Sequence, residues 1–507
     1  MKLFTAEQIK AIDAYTIANE PISSLDLMTR ATQACVRRLV KLLQPDDNLL
    51  VLCGKGNNGG DGLAIARFLL QNQRTLLVAV VNYGAAFSAD AATQCALLQE
   101  RYPSCIIEIN EITNLATILS SKKFVVLDAL FGIGINRPVE GLAAEVIDCV
   151  NTCAINIISI DVPSGLQIDE PTKETKHVMR ANLCLTFQFP KLALLMPQNG
   201  IFAADFELLN IGLHPKAIEA IQTQHFYVTK QLVSSLLKKR HKFAHKGTYG
   251  HALLLAGGKC KSGAAMLAAK ACLRSGAGLL TLHSVKETLQ ANLVALPEAM
   301  SSEDNCSTHI ADLGALEKYN AVAIGPGIGT HDDTGAVLKK LLHYNRGALL
   351  LDADALNILS DNKTWLNFLP PNSILTPHPK EFEKLTEKHH DDFERLKALK
   401  LFSMTYKCIV VLKGAHTAIA MPDGHVFFNS SGNAGLAKGG SGDVLTGIIL
   451  GLLARGYNAP QAALIGTFVH GYAADLLLKK NSMESLLASD VIDKLGVAFR
   501  KLEVFNY

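Results

Sequence analysis

The chain of 507 residues is too long for one ordinary hydrophobic core, so two domains, or three, are predicted. Hydrophobic residues at 49% and charged residues at 19% supply a large core and exclude global disorder. A net charge of +3 with no long basic run gives no ground for nucleic acid or an acidic membrane as partner.

The opening MKLFTAEQIKAIDAY meets Glu7 before any continuous apolar stretch, unlike a secretory signal. Five apolar runs follow: Asn48–Cys53, Thr75–Tyr83, Phe124–Gly132, Ile155–Val162 and Asn182–Phe189. They lack strict alternation, the pattern of strands covered on both faces in a mostly parallel sheet. The spacing between them leaves room for a crossover helix each time. Gly212–Gln231 interrupts the pattern, with no strong strand signal until Phe226–Val228, and marks a domain boundary. A second series runs His251–Ala256, Leu279–His283, Ala321–Ile324, Ala348–Asp352, Ser373–Thr376 and Cys408–Lys413. Thr417–Met421 and His425–Phe428 flank Pro422, Asp423 and Gly424, which predicts a hairpin. The apolar run Ile448–Ala454 is broken by Gly451 and closed by Arg455, too short to span a bilayer. The eleven cysteines contain no C-x-x-C pair and are read as reduced thiols. A cytoplasmic protein of α/β class is expected.

Ligands of such sheets sit beyond the carboxyl ends of the strands. The first such loop, Gly54–Gly62 (GKGNNGGDG), offers a tight turn and a helix N-terminus, predicted near Asp61, to a phosphate. Its glycines satisfy G-x-G-x-x-G, but the next strand ends at Asn82 and Tyr83 without the ribose-binding acid, which disfavours an ordinary NAD dehydrogenase. Asp128 and Asp161 end two further strands and, with Asn58 and Ser164, make an oxygen-rich set suited to a hard cation. In the second half, Lys413–Thr417 (KGAHT) supplies a cation and a turn. Asn433–Gly447 (NAGLAKGGSGDVLTG) bares backbone N–H groups at the start of a helix predicted over Asp443–Arg455. A carboxylate there can take a proton from a hydroxyl while the N–H groups hold a transferring phosphoryl group.

GKGNNGGDG, DALFGIGINR and DVPSG resemble the YjeF N-terminal, NAD(P)H-hydrate epimerase family, with a Rossmann-like three-layer α/β/α fold over residues 1–218. The resemblance implies that Asn57, Asn58, Gly59, Gly60 and Asp61, with Gly132, Ile133, Gly134, Ile135, Asn136, Arg137 and Pro138, hold the hydrated dinucleotide. It also implies potassium near Asn58, Asp128 and Ser164, and Asp161 as the catalytic group at the nicotinamide ring. Lys191 matches a further family position, though Leu192, Ala193 and Leu194 follow it where a glycine is usual.

KFAHKGTYG, GPGIG, TPHPKE and NAGLAKGGSGDVLTG resemble the ADP/ATP-dependent NAD(P)H-hydrate dehydratases, of ribokinase-like three-layer fold, over residues 225–502. That implies Ala264, Gly327 and His378 at the hydrated dinucleotide, Asp443 as catalytic base, and Lys413, Gly414, Ala415, His416, Thr417 and Gly442 at the adenine nucleotide. ADP as co-substrate, magnesium on its phosphates, NADHX and NADPHX as substrates and self-association are implied with it. Lys261 and Lys438 depart from the usual pattern. GGSGD alone fits equally a small-molecule kinase joined to a non-catalytic binding module.

Overall fold

The structure is a computed structural model that describes residues 1–343 and 347–503. It divides into a first unit, Lys2–Thr223, and a second, Gln224–Tyr507 together with Met1. The first unit is built on β1 (Leu49–Cys53), β2 (Leu76–Val81), β3 (Ile106–Ile109), β4 (Val125–Ala129), β5 (Asn156–Ile160), β6 (Leu183–Phe187) and β7 (Phe206–Leu209). These lie in the order β3-β2-β1-β4-β5-β6-β7 with every pairing parallel.

The continuous apolar runs have a physical cause: successive side chains alternate faces, and both faces are covered. Leu49, Val51 and Cys53 pack with Leu39 of the helix Ser24–Leu42 and with Leu63 and Leu69 of the helix Asn57–Gln71. Leu50 and Leu52 pack on the opposite side with Val146 and Ile147 of the helix Gly141–Cys153. The strand order reverses between β1 and β4, so the loops after those two strands flank one crevice.

The second unit adds β8 (His225–Val228), β9 (His251–Leu255), β10 (Leu279–Ser284), β11 (Met300–Glu303), β12 (Ala321–Ile324), β13 (Leu349–Leu351), β14 (Ile374–Leu375), β15 (Ile409–Leu412), β16 (Ala418–Ala420) and β17 (Val426–Asn429). Their order is β11-β10-β9-β12-β13-β14-β15-β16-β17-β8. The first seven in that order run parallel, and β16 and β17 form the expected antiparallel hairpin. The reversal here falls between β9 and β12. The alanines of the helix Ser262–Arg274 pack against the helix Ser441–Ala454, where Gly447 brings the two backbones close: a Cβ on it would stand 2.1 Å from the Ala268 carbonyl oxygen. Among the described residues no helix is long and apolar enough to cross a membrane.

Three strands differ from the sequence reading: β3, β7 and β11 were not anticipated, whereas β8 falls on the Phe226–Val228 signal within the boundary segment. Both helices at the phosphate-binding loops also begin earlier than expected, at Asn57 and at Ser441.

Candidate active sites

In the first unit a cleft of about 610 Å³ opens at the strand reversal. It is lined by Asn57, Asn58 and Asp61 from the loop after β1, by Gly132–Arg137 after β4, by Asp161 after β5 and by Lys191 after β6. The helix Asn57–Gln71 starts from Gly56, which has no side chain to cap it, so its first N–H groups are left for a ligand. Gly59 and Gly60 turn inward. A Cβ on Gly59 would meet the Gly54 carbonyl oxygen at 1.9 Å, so only glycine lets the turn close; Gly60 faces Met28. Pro138 does not line the cleft.

Asp161 has a positive φ of 67°, rare for a non-glycine residue, which aims its carboxylate along the strand end. Its Oδ1 accepts from Lys191 Nζ at 2.5 Å, Phe187 N at 3.0 Å and Thr186 Oγ1 at 3.2 Å. The Lys191 side chain is fully buried and also donates to Thr186 Oγ1 and the Phe187 carbonyl. Two more carboxyls line the same cleft. Burial, then Asp161, raises Asp13 to about 6 against the pull of Lys191. Burial, then Asp161, Asp13 and Asp90, pushes Asp61 well above the usual carboxylate range. Sequence reading missed Asp13, which sits on the helix Ala6–Asn19, remote in sequence from every glycine loop.

The three residues assigned to a cation do come together beneath the cleft. The Asp128 carboxylate accepts from Ser159 Oγ at 2.6 Å, from Ser164 Oγ at 2.5 Å and from the Ser164 amide at 2.9 Å. Asn58 donates its Nδ2 to the Phe131 carbonyl at 2.9 Å, which leaves its Oδ1 as an oxygen ligand. Asp128 is fully buried, its partners are neutral, and among the described residues no ion pair reaches it. Burial raises its carboxyl pKa against the lowering by these hydrogen bonds. An all-oxygen set around an uncompensated buried charge fits a hard cation.

In the second unit Gly440 has φ 89° and begins the helix Ser441–Ala454 with no side-chain cap. The turn requires that left-handed conformation, and the N–H groups of Gly442 and Asp443 are again left for an anion. Lys413 faces the same turn: its Nζ would stand 3.6 Å from a Cβ on Gly442. It also donates to Asp352 Oδ1 at 3.0 Å. Asp352 is buried and takes further bonds from Thr376 Oγ1 at 2.8 Å and Thr446 Oγ1 at 2.7 Å. Asp443 accepts no hydrogen bond from any described residue; burial, then Asp352, raises its carboxyl to about 6, with Lys413 opposing and Asp354 adding.

Gly327 and Ala264 are neighbours, a Cβ on Gly327 lying 3.4 Å from that of Ala264. Asp354 ties this side together, accepting from Gly329 N at 2.7 Å and Lys261 Nζ at 3.2 Å. His378 caps the helix Pro379–Leu385, and its capping partner Glu381 reaches toward Lys413 at 3.9 Å. Thr417 Oγ1 closes the Gly414–Thr417 turn by donating to the Gly414 carbonyl at 3.0 Å, and His416 Nδ1 lies 3.2 Å from the Asn429 carbonyl. A cavity of about 420 Å³ beside Gly327 does not include Asp443 or Lys413 in its lining. Lys438 lies off the phosphate turn, its ammonium bonded to the Glu484 carbonyl. The sequence reading placed Asp352 only at the end of a strand and missed Thr446, whose bond to Asp352 spans 94 residues.

Two family profiles match the chain: the YjeF-related protein N-terminus over residues 24–193, and NAD(P)H-hydrate dehydratase over residues 252–496. The bifunctional NAD(P)H-hydrate repair enzyme Nnr of Moorella thermoacetica is 32% identical, over 99% of this chain and 97% of its own. The chain belongs to the bifunctional NAD(P)H-hydrate repair enzymes. Another member of these repair enzymes, from Thermofilum pendens, is also 32% identical, over 99% of this chain and 97% of its own. Among solved structures, the ADP/ATP-dependent NAD(P)H-hydrate dehydratase of Bacillus subtilis, co-crystallised with ATP and Mg²⁺, is 34% identical, with a TM-score of 0.49 over 55% of this chain and 99% of that one.

Proposed function

We infer that the chain repairs NADH and NADPH hydrated at C6 of the nicotinamide ring, with the first unit interconverting the R and S epimers and the second dehydrating the S form at the expense of ADP. The observation that carries the second activity is the grouping of an uncapped helix N-terminus, the Lys413 ammonium and an unbonded Asp443 carboxylate. Asp443 takes the proton of the C6 hydroxyl as the oxygen attacks the terminal phosphoryl group of ADP. The N–H groups of Gly442 and Asp443 and the Lys413 ammonium hold that group. AMP departs; phosphate then leaves C6 together with a proton from C5, restoring the ring double bond. Asp352, Asp354 and Asp443 outnumber the nearby cations, which supports magnesium on the phosphates, supplying the missing positive charge.

In the first unit Asp161, oriented by Lys191, acts at C6, and the uncapped turn at Asn57–Gly59 holds the dinucleotide phosphates. A potassium ion at Asn58, Asp128 and Ser164 would balance the buried carboxylate and brace the loops carrying Asn58 and Phe131.

Incubation with ADP and S-NADHX tests this reading, followed by the near-ultraviolet absorbance of regenerated NADH. Accumulation of a phosphorylated hydrate without NADH marks a kinase instead. For the first unit, R-NADHX with Asp161→Ala must fail to convert; unchanged conversion removes the catalytic assignment.

A further inference from the structure

The second unit carries a cluster of metal-ligating side chains that neither phosphate cradle uses. His309 lies in the segment after β11, and His331 and Asp333 follow the loop after β12. His309 Nε2 lies 3.3 Å from Asp333 Oδ2, and His331 Nδ1 lies 3.6 Å from the same oxygen. One ligand atom from each of the three falls within 4.8 Å of the other two. Bonds of about 2.0–2.1 Å at tetrahedral angles set donor atoms roughly 3.3–3.4 Å apart, so two of the three edges already stand near that spacing. The two imidazoles stack at 3.9 Å between centroids, tilted by 21°, which holds the two rings side by side.

The supporting frame is rigid on both sides. Buried Asp304 anchors the segment bearing His309 by accepting from the amides of Cys306 at 2.8 Å, Ala311 at 2.9 Å and Asp312 at 3.1 Å, and it meets His283 Nε2 at 3.0 Å. Thr334, beside Asp333, donates its buried hydroxyl to the Ile310 carbonyl at 2.8 Å and so ties the two ligand-bearing segments together. His309 Nδ1 sits 2.9 Å from Thr308 Oγ1, which fixes the ring and leaves Nε2 for an ion. The Asp333 amide reaches His331 Nδ1 only at 3.4 Å, a contact that yields to a metal bond. Cys306 Sγ stands 3.5 Å from His309 Nδ1 and 3.8 Å from its Nε2.

We propose that His309, His331 and Asp333 form a binding site for a borderline-soft divalent cation of the zinc class at the rim of the pocket beside Gly327. Two imidazoles and one carboxylate select zinc, cobalt or nickel over magnesium, so this site is separate from any magnesium carried in on the nucleotide. The ion bridges the segment 304–312 and the stretch 325–333, the loop after β12 with the first turn of the helix that follows, which both border the 420 Å³ cavity. The cysteine spacing gave no hint of it, because its ligands are two histidines and an aspartate from separate segments, the aspartate in the first turn of the helix Asp332–His343.

The test uses the full chain, stripped with a chelator and titrated with zinc in competition with a fluorescent zinc indicator in excess magnesium. The expected result is a zinc site that survives the magnesium. Loss of a mere outer-shell partner costs about 10–100-fold in metal affinity, so His309→Ala with His331→Ala must weaken that site more than about 100-fold. Asp333→Asn must weaken it at least about tenfold by the same comparison. His331 and Asp333 are exposed, and fluorescence of Trp365 checks that each variant folds. A wild-type chain that takes up no zinc, or a double variant that binds zinc as the wild type does, overturns the proposal.

Discussion

Replacing Asp443 with asparagine separates its chemistry from its cost. Its carboxyl is raised from the ordinary 3.8 to about 6, chiefly by burial and by Asp352. At 1.36 kcal/mol per pKa unit, holding this group ionised in the native state costs about 3 kcal/mol. Below the unfolded value both states keep the proton and the cost is absent. Between 3.8 and about 6 the native state keeps a proton that the unfolded chain has released, so stability falls as pH rises, and above about 6 the full cost is present. Asp443→Asn therefore stabilises the second unit by up to about 3 kcal/mol at neutral pH and by little near pH 4. Trp365 is the single tryptophan and lies in the second unit, so its fluorescence during urea unfolding reports on that unit. The same substitution removes the base and lowers kcat for ADP-dependent dehydration by about 10²–10⁴-fold. In the wild type, kcat/KM must climb about tenfold per pH unit up to about 6 and then level off. A variant that gains no stability at neutral pH, or a wild-type rate flat across this range, refutes the reasoning.

Lys191→Met strips the buried Asp161 of its cation: the first unit loses about 3–5 kcal/mol and R-to-S conversion falls, while dehydration of S-NADHX persists in the folded second unit. Conversion measured at permissive temperature, with denaturant unfolding alongside, checks both effects. Asp13 is raised to about 6, so if it donates a proton, epimerisation declines as pH rises through that value; Asp13→Asn must remove that limb of the profile. Potassium added to an enzyme freed of it must raise both the melting temperature of the first unit and its epimerisation rate, and Asp128→Ala must abolish both responses. Calorimetry with potassium against lithium, whose small size suits the oxygen set poorly, checks this.

The strands between other strands were legible because both their faces are covered, which forces apolar runs such as Leu49–Cys53. Edge strands escape that pressure. β11 reads Met-Ser-Ser-Glu and is largely exposed, while β3 and β7 are short, mostly half-buried and each broken by a glutamate, Glu108 and Glu207, so none forms a continuous apolar run. The helix starts were set late because glycines argue against helix locally, whereas packing of Gly59 on Gly54 overrides propensity. Both glycine loops could be read as anion cradles, and the two are alike: each helix begins after a glycine with no side-chain cap. What differs is the carboxylate each lysine holds: Lys191 and Lys413 were both read from the sequence, their partners were not. Lys191 and Asp161 are 30 residues apart, and the ammonium is sealed in, bonded directly to the carboxylate, so it orients that carboxylate and is closed to a phosphate. Lys413 leans instead on Asp352, 61 residues away, and is about a quarter exposed, so it remains open to a phosphate while Asp443 is left unbonded. The first unit thus offers a bound phosphate a bare turn, and the second a turn with an open ammonium beside it. Which carboxylate each lysine holds is set by contacts far longer in sequence than any motif.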